Sequence, residues 1–249
     1  MLNLLIPHAL GFLLVLLRTA SLFMVAPVFG AKTIPGMLRV GISVPVAMTA
    51  YMGAGAPTFA AGLDPAHLIP VAIVETLIGL GTGLSARFFV ESATAAGGAI
   101  AMAMGLSFGS MIDPINGTES TSLGDLLTVL AMATALALGI HREIIGWLCR
   151  SVIEFPPGSP YNLANLAVRV VADATASIAL SIRLAFPVLA AVTLGHLAMG
   201  LLGRVAPQMN LSNIGFSVAI LAGGMACYMV APMAATIAAQ AMRTALAGH

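Results

Sequence analysis

The chain has 249 residues, of which 59% are hydrophobic and only 8% charged, with 10 basic and 9 acidic side chains leaving a net charge of +1; its mean hydropathy is +1.03. A soluble domain carries about 25% charged residues, so these few cannot cover a water-exposed globule of this size, and a soluble protein is excluded. The balanced charge, with no basic run and no aromatic-rich basic patch, also excludes a nucleic-acid partner.

Along the chain, Gly and Pro divide the sequence into apolar blocks at about 9–29, 40–60, 68–104, 123–140, 164–202 and 213–242. Helices are expected in all of them. A membrane barrel would need alternating strands of about ten residues, whereas these blocks are continuous and rich in Ala, Leu, Met and Gly. The predicted class is all-α, a polytopic helical membrane protein. Residues 2–17 lack a basic leader, contain Pro7 and run on past Arg18, which predicts a first helix and not a cleaved signal.

The third and fifth blocks are anomalous. As single straight helices at about 1.5 Å per residue, each would be roughly 55 Å long, beyond the 40–45 Å of a whole bilayer. Kinked, steep or hairpin helices embedded in other protein are predicted there. Loop cations give no orientation: with six spans, Lys32, Arg39 and Arg204 fall on one side, Arg142, Arg150 and Arg243 on the other.

Arg18, Glu75, Arg87, Glu91, Arg169, Asp173 and Arg183 all lie inside apolar blocks. At about 2.5–3.5 kcal/mol per charge at a helix centre, they must face protein, water or each other. Arg87 with Glu91, and Arg169 with Asp173, are spaced i, i+4 on one helix face. They read either as structural ion pairs or as an ion relay or polar seam. Arg18, Glu75 and Arg183 have no partner nearby in sequence, so pairing between helices or subunits is expected for them. Gly79 and Gly83 form a G-x-x-x-G pair that permits close backbone approach between helices.

Residues 102–125, MAMGLSFGSMIDPINGTESTSLGD, combine two characters. Asp113-Pro114, Asn116-Gly117 and the Ser/Thr cluster are turn chemistry. Before them, Met102, Met104, Phe108, Met111 and Ile112 stand among Gly105, Ser107, Gly109 and Ser110. Adaptable apolar side chains on a backbone with little helical drive suit a mobile constriction that excludes water, or a re-entrant connection packed on its neighbours. His8, His67, His141, His196 and His249 are scattered, and Cys149 and Cys227 read as small core residues. With no metal spacing, nucleophile–base set or phosphate loop, neither an enzyme nor a bound cofactor or metal is expected.

Three stretches resemble the FliR component of bacterial flagellar export gates, whose relatives serve virulence type III secretion. They are LLRTASLFMVAPVFGAKTIPGMLRVGIS, with Arg18, Ala26-Pro27, Pro35 and Gly41; MGLSFGSMIDP, ending in Asp113-Pro114; and MGLLGRVAPQMNLSNIGFSV, carrying Arg204, Pro207, Gln208 and Gly215-Phe216. The resemblance covers essentially the whole chain. It implies one membrane domain over 1–249, FliP-like over about 1–160 and FliQ-like over about 161–249, in an export gate with FliP-like and FliQ-like subunits and with FlhB-like and FlhA-like proteins. It also implies a multi-pass place in the bacterial inner membrane at the flagellar basal body, with exported flagellar proteins passing through.

Carried over by residue, the resemblance makes Phe108 the aromatic of a pore plug, shaped by Gly105, Leu106 and Ser107 and completed by Met111 and Ile112. Met111 stands where relatives often have a second aromatic. Arg204, Pro207 and Gln208 become an assembly motif at a subunit turn. The competing expectations are an ion-coupled transporter acting alone, motivated by the intramembrane charge pairs, and a virulence-system gate.

Overall fold

The computed structural model describes residues 2–30, 35–59, 65–106, 122–205 and 211–248. Among these the chain is helical, with no strand: α1 (Leu2–Val25), α2 (Gly36–Gly53), α3 (Pro65–Ala103), α4 (Ser122–Ala137), α5 (Ile140–Glu154), α6 (Leu163–Val205) and α7 (Leu211–Gly248). By length and composition α1, α3 and α6 can each cross a membrane, and the bent pair α4–α5 can form a fourth, broken span. An all-α membrane fold is therefore what the apolar blocks produce.

The bend lies elsewhere than the long blocks. The third and fifth blocks each form one unbroken helix, of 39 residues in α3 and 43 in α6, and α7 adds a third long helix of 38. Pro70, Pro187 and Pro232 sit inside them, each removing one backbone donor without ending its helix. The break comes instead at Leu138 and Gly139. Gly139 takes φ +78°, a conformation natural to glycine, and its carbonyl accepts the N–H groups of Arg142 and Glu143 to start α5.

Helix α5 is an element that hydropathy did not single out. His141, Arg142, Glu143, Arg150 and Glu154 break up its apolar run, yet Ile140, Ile144, Trp147, Leu148, Ser151 and Val152 are all buried. That spacing marks one stripe of an amphipathic helix.

The chain forms two compact units. The first comprises Met1–Phe88, Leu136–Ala174 and Ala241–His249. Here α1 carries a buried face of Leu10, Leu14, Leu22 and Phe23. Leu10 and Leu14 cluster with Phe59, against which Ile6, Leu17, Leu68, Val71 and Ala72 pack. Helix α2 is fastened to α1 through Tyr51, whose hydroxyl donates to the His8 carbonyl at 3.0 Å and whose ring meets Phe12 edge-on.

Within the same unit, α3 presses on α1 at its glycines. A methyl group on Gly79 would collide with the Ser21 side chain and the Arg18 carbonyl, and one on Gly83 would stand 3.0 Å from the Leu22 carbonyl. Moving one turn along α3 moves the contact one turn along α1 in the same direction, so the two helices run parallel. The G-x-x-x-G spacing thus acts as the sequence predicts, by letting two backbones meet.

The second unit comprises Phe89–Ala135 and Thr175–Gln240. Its α6 and α7 segments form an antiparallel pair: a Cβ on Gly215 would face Met199, on Gly195 Val218, and on Gly223 Val192. On α6 here the buried Leu180, Leu184, Val188 and Val192 recur every fourth position, with Ser177 and Ala185 buried beside them. The α3 segment contributes Ala93, Ala96 and Ile100 and the α4 segment Leu127, Ala131 and Ala135. The hydroxyls of Thr94 and Thr128 are hydrogen-bonded between these two helices.

Candidate functional site

The loop singled out in the sequence begins where α3 stops, and that stop is built from backbone. Gly105 takes φ +76°. Its N–H donates to the Met102 carbonyl at 3.1 Å, and the N–H of Leu106 reaches back to the Ala101 carbonyl at 2.9 Å. These are the paired bonds of a Schellman cap, which needs a left-handed residue just past the helix. Gly105 supplies it, so the first Gly of the Gly-Leu-Ser-Phe motif is a helix terminator. Leu106 is exposed. Ser107, Phe108, Met111 and Ile112, the remainder of the candidate plug, lie outside the described residues.

The internal charges divide by environment. Arg18 is 1% exposed, and its Nε donates to Glu75 Oε2 at 2.6 Å. Its Nη1 donates to the Ser151 carbonyl at 2.9 Å and to Ser151 Oγ at 3.2 Å, and its Nη2 to the Phe155 carbonyl at 3.0 Å. Glu75 Oε1 in turn accepts the Gly158 N–H at 3.2 Å. One guanidinium fork therefore joins α1, α3 and the end of α5, where it supplies a donor to the Phe155 carbonyl just past the helix and a second donor to the Ser151 carbonyl, which already accepts the Phe155 N–H at 2.9 Å. Pairing between helices is what the isolation of Arg18 and Glu75 in sequence led one to expect.

The i, i+4 pairs lie at the surface instead. Arg87 and Glu91 are exposed on α3, and on α6 Arg169 is exposed and Asp173 half-buried. Arg87, Glu91 and Asp173 each take part in a polar interaction. Arg183, also exposed, stands near the middle of α6 between the exposed Ile182 and Phe186.

Arg204 lies in the last turn of α6. It borders an open recess along that helix with Thr193, His196, Leu197, Gly200 and Leu201. Pro207 and Gln208 lie outside the described residues. Among the described residues no group of His, Cys, Asp and Glu gathers in a way that could hold a metal ion.

Several structural residues escaped the sequence reading. Ser151, Phe155 and Gly158 hold the buried charges mainly through backbone groups, which leave no trace in residue type. Arg243, counted in the sequence only as a loop cation, donates to the Leu138 carbonyl at the α4–α5 break. It also lies 4.0 Å from Glu143. Tyr161, in the connection between α5 and α6, packs edge-on against Phe155. Burial pushes its phenol above the usual range, opposed by Arg169 and Arg18.

The chain matches the sequence profile of bacterial export proteins, family 1, over residues 9–245. Among curated proteins, it is 27% identical over 213 residues to the flagellar biosynthetic protein FliR of Bacillus subtilis, covering 84% of this chain and 82% of the relative. The FliR of Caulobacter vibrioides is 30% identical over 218 residues, covering 84% of each chain. The surface presentation of antigens protein SpaR of Salmonella typhimurium is 30% identical over 220 residues, covering 84% of this chain and 77% of that protein. A match that runs from α1 into the last turns of α7 takes in both compact units and every described helix, and on that footing the chain belongs to the bacterial export proteins, family 1.

Proposed function

We propose that this chain is a non-enzymatic, structural and pore-forming subunit of the flagellar type III export gate in the bacterial inner membrane, needed to build the flagellum by exporting unfolded flagellar proteins. The observation that carries this reading is the family match over residues 9–245 together with FliR relatives named as flagellar biosynthetic proteins. The physical state of the long helices supports it. Only 28% of the apolar window of α6 and 33% of that of α3 is buried within the chain. Large apolar faces are thus left for hydrocarbon or for other subunits.

In this reading residues 1–160 are FliP-like and 161–249 FliQ-like, the cut falling in the connection between α5 and α6. The partners are FliP-like and FliQ-like gate subunits, with FlhB-like and FlhA-like proteins beside them. The segment 105–112 is the pore loop, launched by the Gly105 cap, with Phe108 as its plug. Arg204, Pro207 and Gln208 belong to an inter-subunit turn, and the pairs Arg87–Glu91 and Arg169–Asp173 are polar ties at the chain's surface.

Affinity purification in mild detergent, followed by mass spectrometry, tests the assembly. FliP-like and FliQ-like chains should co-purify, and the chain alone should be unstable; a stable solitary chain that binds a solute would overturn the reading. Deleting residues 106–112 tests the pore loop. Entry of propidium into cells holding the assembled gate should rise, and unchanged entry with normal assembly would sink the plug.

The solitary transporter loses much of its motive, because the pairs that suggested it are not enclosed by the chain's own helices: Arg87, Glu91 and Arg169 are exposed and Asp173 is half-buried. A virulence-system gate is favoured by the SpaR relative at 30% identity. Disrupting the gene separates the two readings, since loss of flagellar filaments belongs to the flagellar one.

A further inference from the structure

Met104 is only 3% exposed, although it precedes by one residue the glycine that ends α3. Its side chain fills a notch made by the other long helices of the same unit. A methyl group on Gly223 of α7 would stand 2.7 Å from Met104 Sδ, 2.8 Å from Met104 Cγ and 2.9 Å from Val192 Cγ2 of α6. Carbon and sulfur atoms do not approach so closely without a shift, so a methyl here would move Met104 or Val192, and Met104 requires a bare glycine to keep this seat. The adjacent Gly224 has nothing within 4 Å of such a methyl, which makes the requirement specific to one of the two glycines.

The turn that carries Met104 is itself closed. The Met104 N–H donates to the Ile100 carbonyl at 2.9 Å, and the Gly105 and Leu106 N–H groups complete the cap at 3.1 and 2.9 Å. A rigid final turn has little freedom to pivot, so its position follows the side chain that anchors it. An unbranched thioether suits the purpose, because it can thread a narrow notch that a branched side chain would not enter.

We propose that Met104 is a positioning residue for the pore loop: seated between Gly223 and Val192, it registers the end of α3 against α6 and α7 and so sets where the loop begins. The proposal rests on the reading of residues 105–112 as a pore loop. It makes α7 a determinant of the seal through a glycine far away in sequence, and it ties gate closure to the fit of the α6–α7 pair.

The test is a size exchange, read in cells holding the complete export apparatus by propidium entry and by recovery of the complex in detergent. Gly223→Leu fills the notch and Met104→Ala empties it. Each is expected to raise propidium entry several-fold while the complex is recovered, and Gly224→Ala to leave entry unchanged. In the double variant the leucine side chain introduced on α7 occupies the space that Met104 vacates, and entry should fall back toward that of the unsubstituted chain. If either single variant is not recovered, recovery of the double supports the seat, and its continued loss overturns it.

Deletion of residues 106–112 serves as the reference. If the deletion leaks and neither single variant does, the positioning role is overturned and the pore loop stands. If the double leaks as much as the singles, the pairing of Met104 with Gly223 is overturned. If the deletion itself does not leak, the pore-loop reading falls, and the role assigned to Met104 falls with it.

Discussion

Arg18 shows how an apolar chain keeps a full charge inside. Desolvating a guanidinium costs several kcal/mol, and a single carboxylate repays it only when the remaining N–H groups also find acceptors. Here all three nitrogens do, through Glu75, Ser151 and Phe155. Exchanging Arg18 for Met would leave Glu75 buried without its cation, at a cost of about 3–5 kcal/mol. The thermal midpoint of the detergent-solubilised complex should fall accordingly, and the Arg18→Met, Glu75→Leu double variant should regain part of the loss. Arg18→Lys should not rescue, because an ammonium cannot span carboxylate and carbonyls as a planar fork does. The sequence identified Arg18 and Glu75 as charges in need of distant partners. It was silent on Ser151, Phe155 and Gly158, because a backbone carbonyl or N–H is common to every residue type.

Among the helices, glycines of equal appearance in sequence have unequal duties. Gly79 lies against the α1 backbone, whereas Gly98, on the same helix, has nothing within 4 Å of an added methyl. Gly79→Val should therefore push α1 from α3 and sharply reduce the amount of chain recovered from membranes. Gly98→Ala should be tolerated or should stabilise α3 by up to about 1 kcal/mol through helix propensity; comparing the yield and thermal midpoint of the two variants checks both expectations. At the α4–α5 break, Gly139 holds φ +78°, and Gly139→Val should cost about 1–2 kcal/mol from backbone strain, seen as a lowered midpoint of the complex. The apolar blocks announced most of these elements through hydropathy. They passed over α5, whose alternating charges lower its mean hydropathy while its buried stripe keeps a helical period.

For the whole molecule, scarcity of charge has a different meaning from the one a lone span bundle would give it. Helix α6 is apolar over 42 residues, yet only 28% of its apolar window is buried within the chain, and Ile178, Ile182, Phe186, Leu194, Leu197 and Leu201 remain exposed. Placing Asp at position 182 should cost about 2.5–3.5 kcal/mol if that face meets hydrocarbon, and should lower recovery of the assembled complex. Arg204→Glu should do the same if the end of α6 meets another subunit; co-purification yields measure both. Composition and period determined the membrane setting, the helical class and the G-x-x-x-G pair that permits close approach at Gly79 and Gly83, and three motifs carried the resemblance to the family, because each is a local property of neighbouring residues. Only the tertiary structure decided that Glu75 answers Arg18, that the chain breaks at Gly139 and not within the long blocks, and that Gly223 must be bare for Met104 while Gly224 need not be. Those outcomes depend on which distant backbones come within a few ångströms of each other, and no count or spacing along one segment contains that distance.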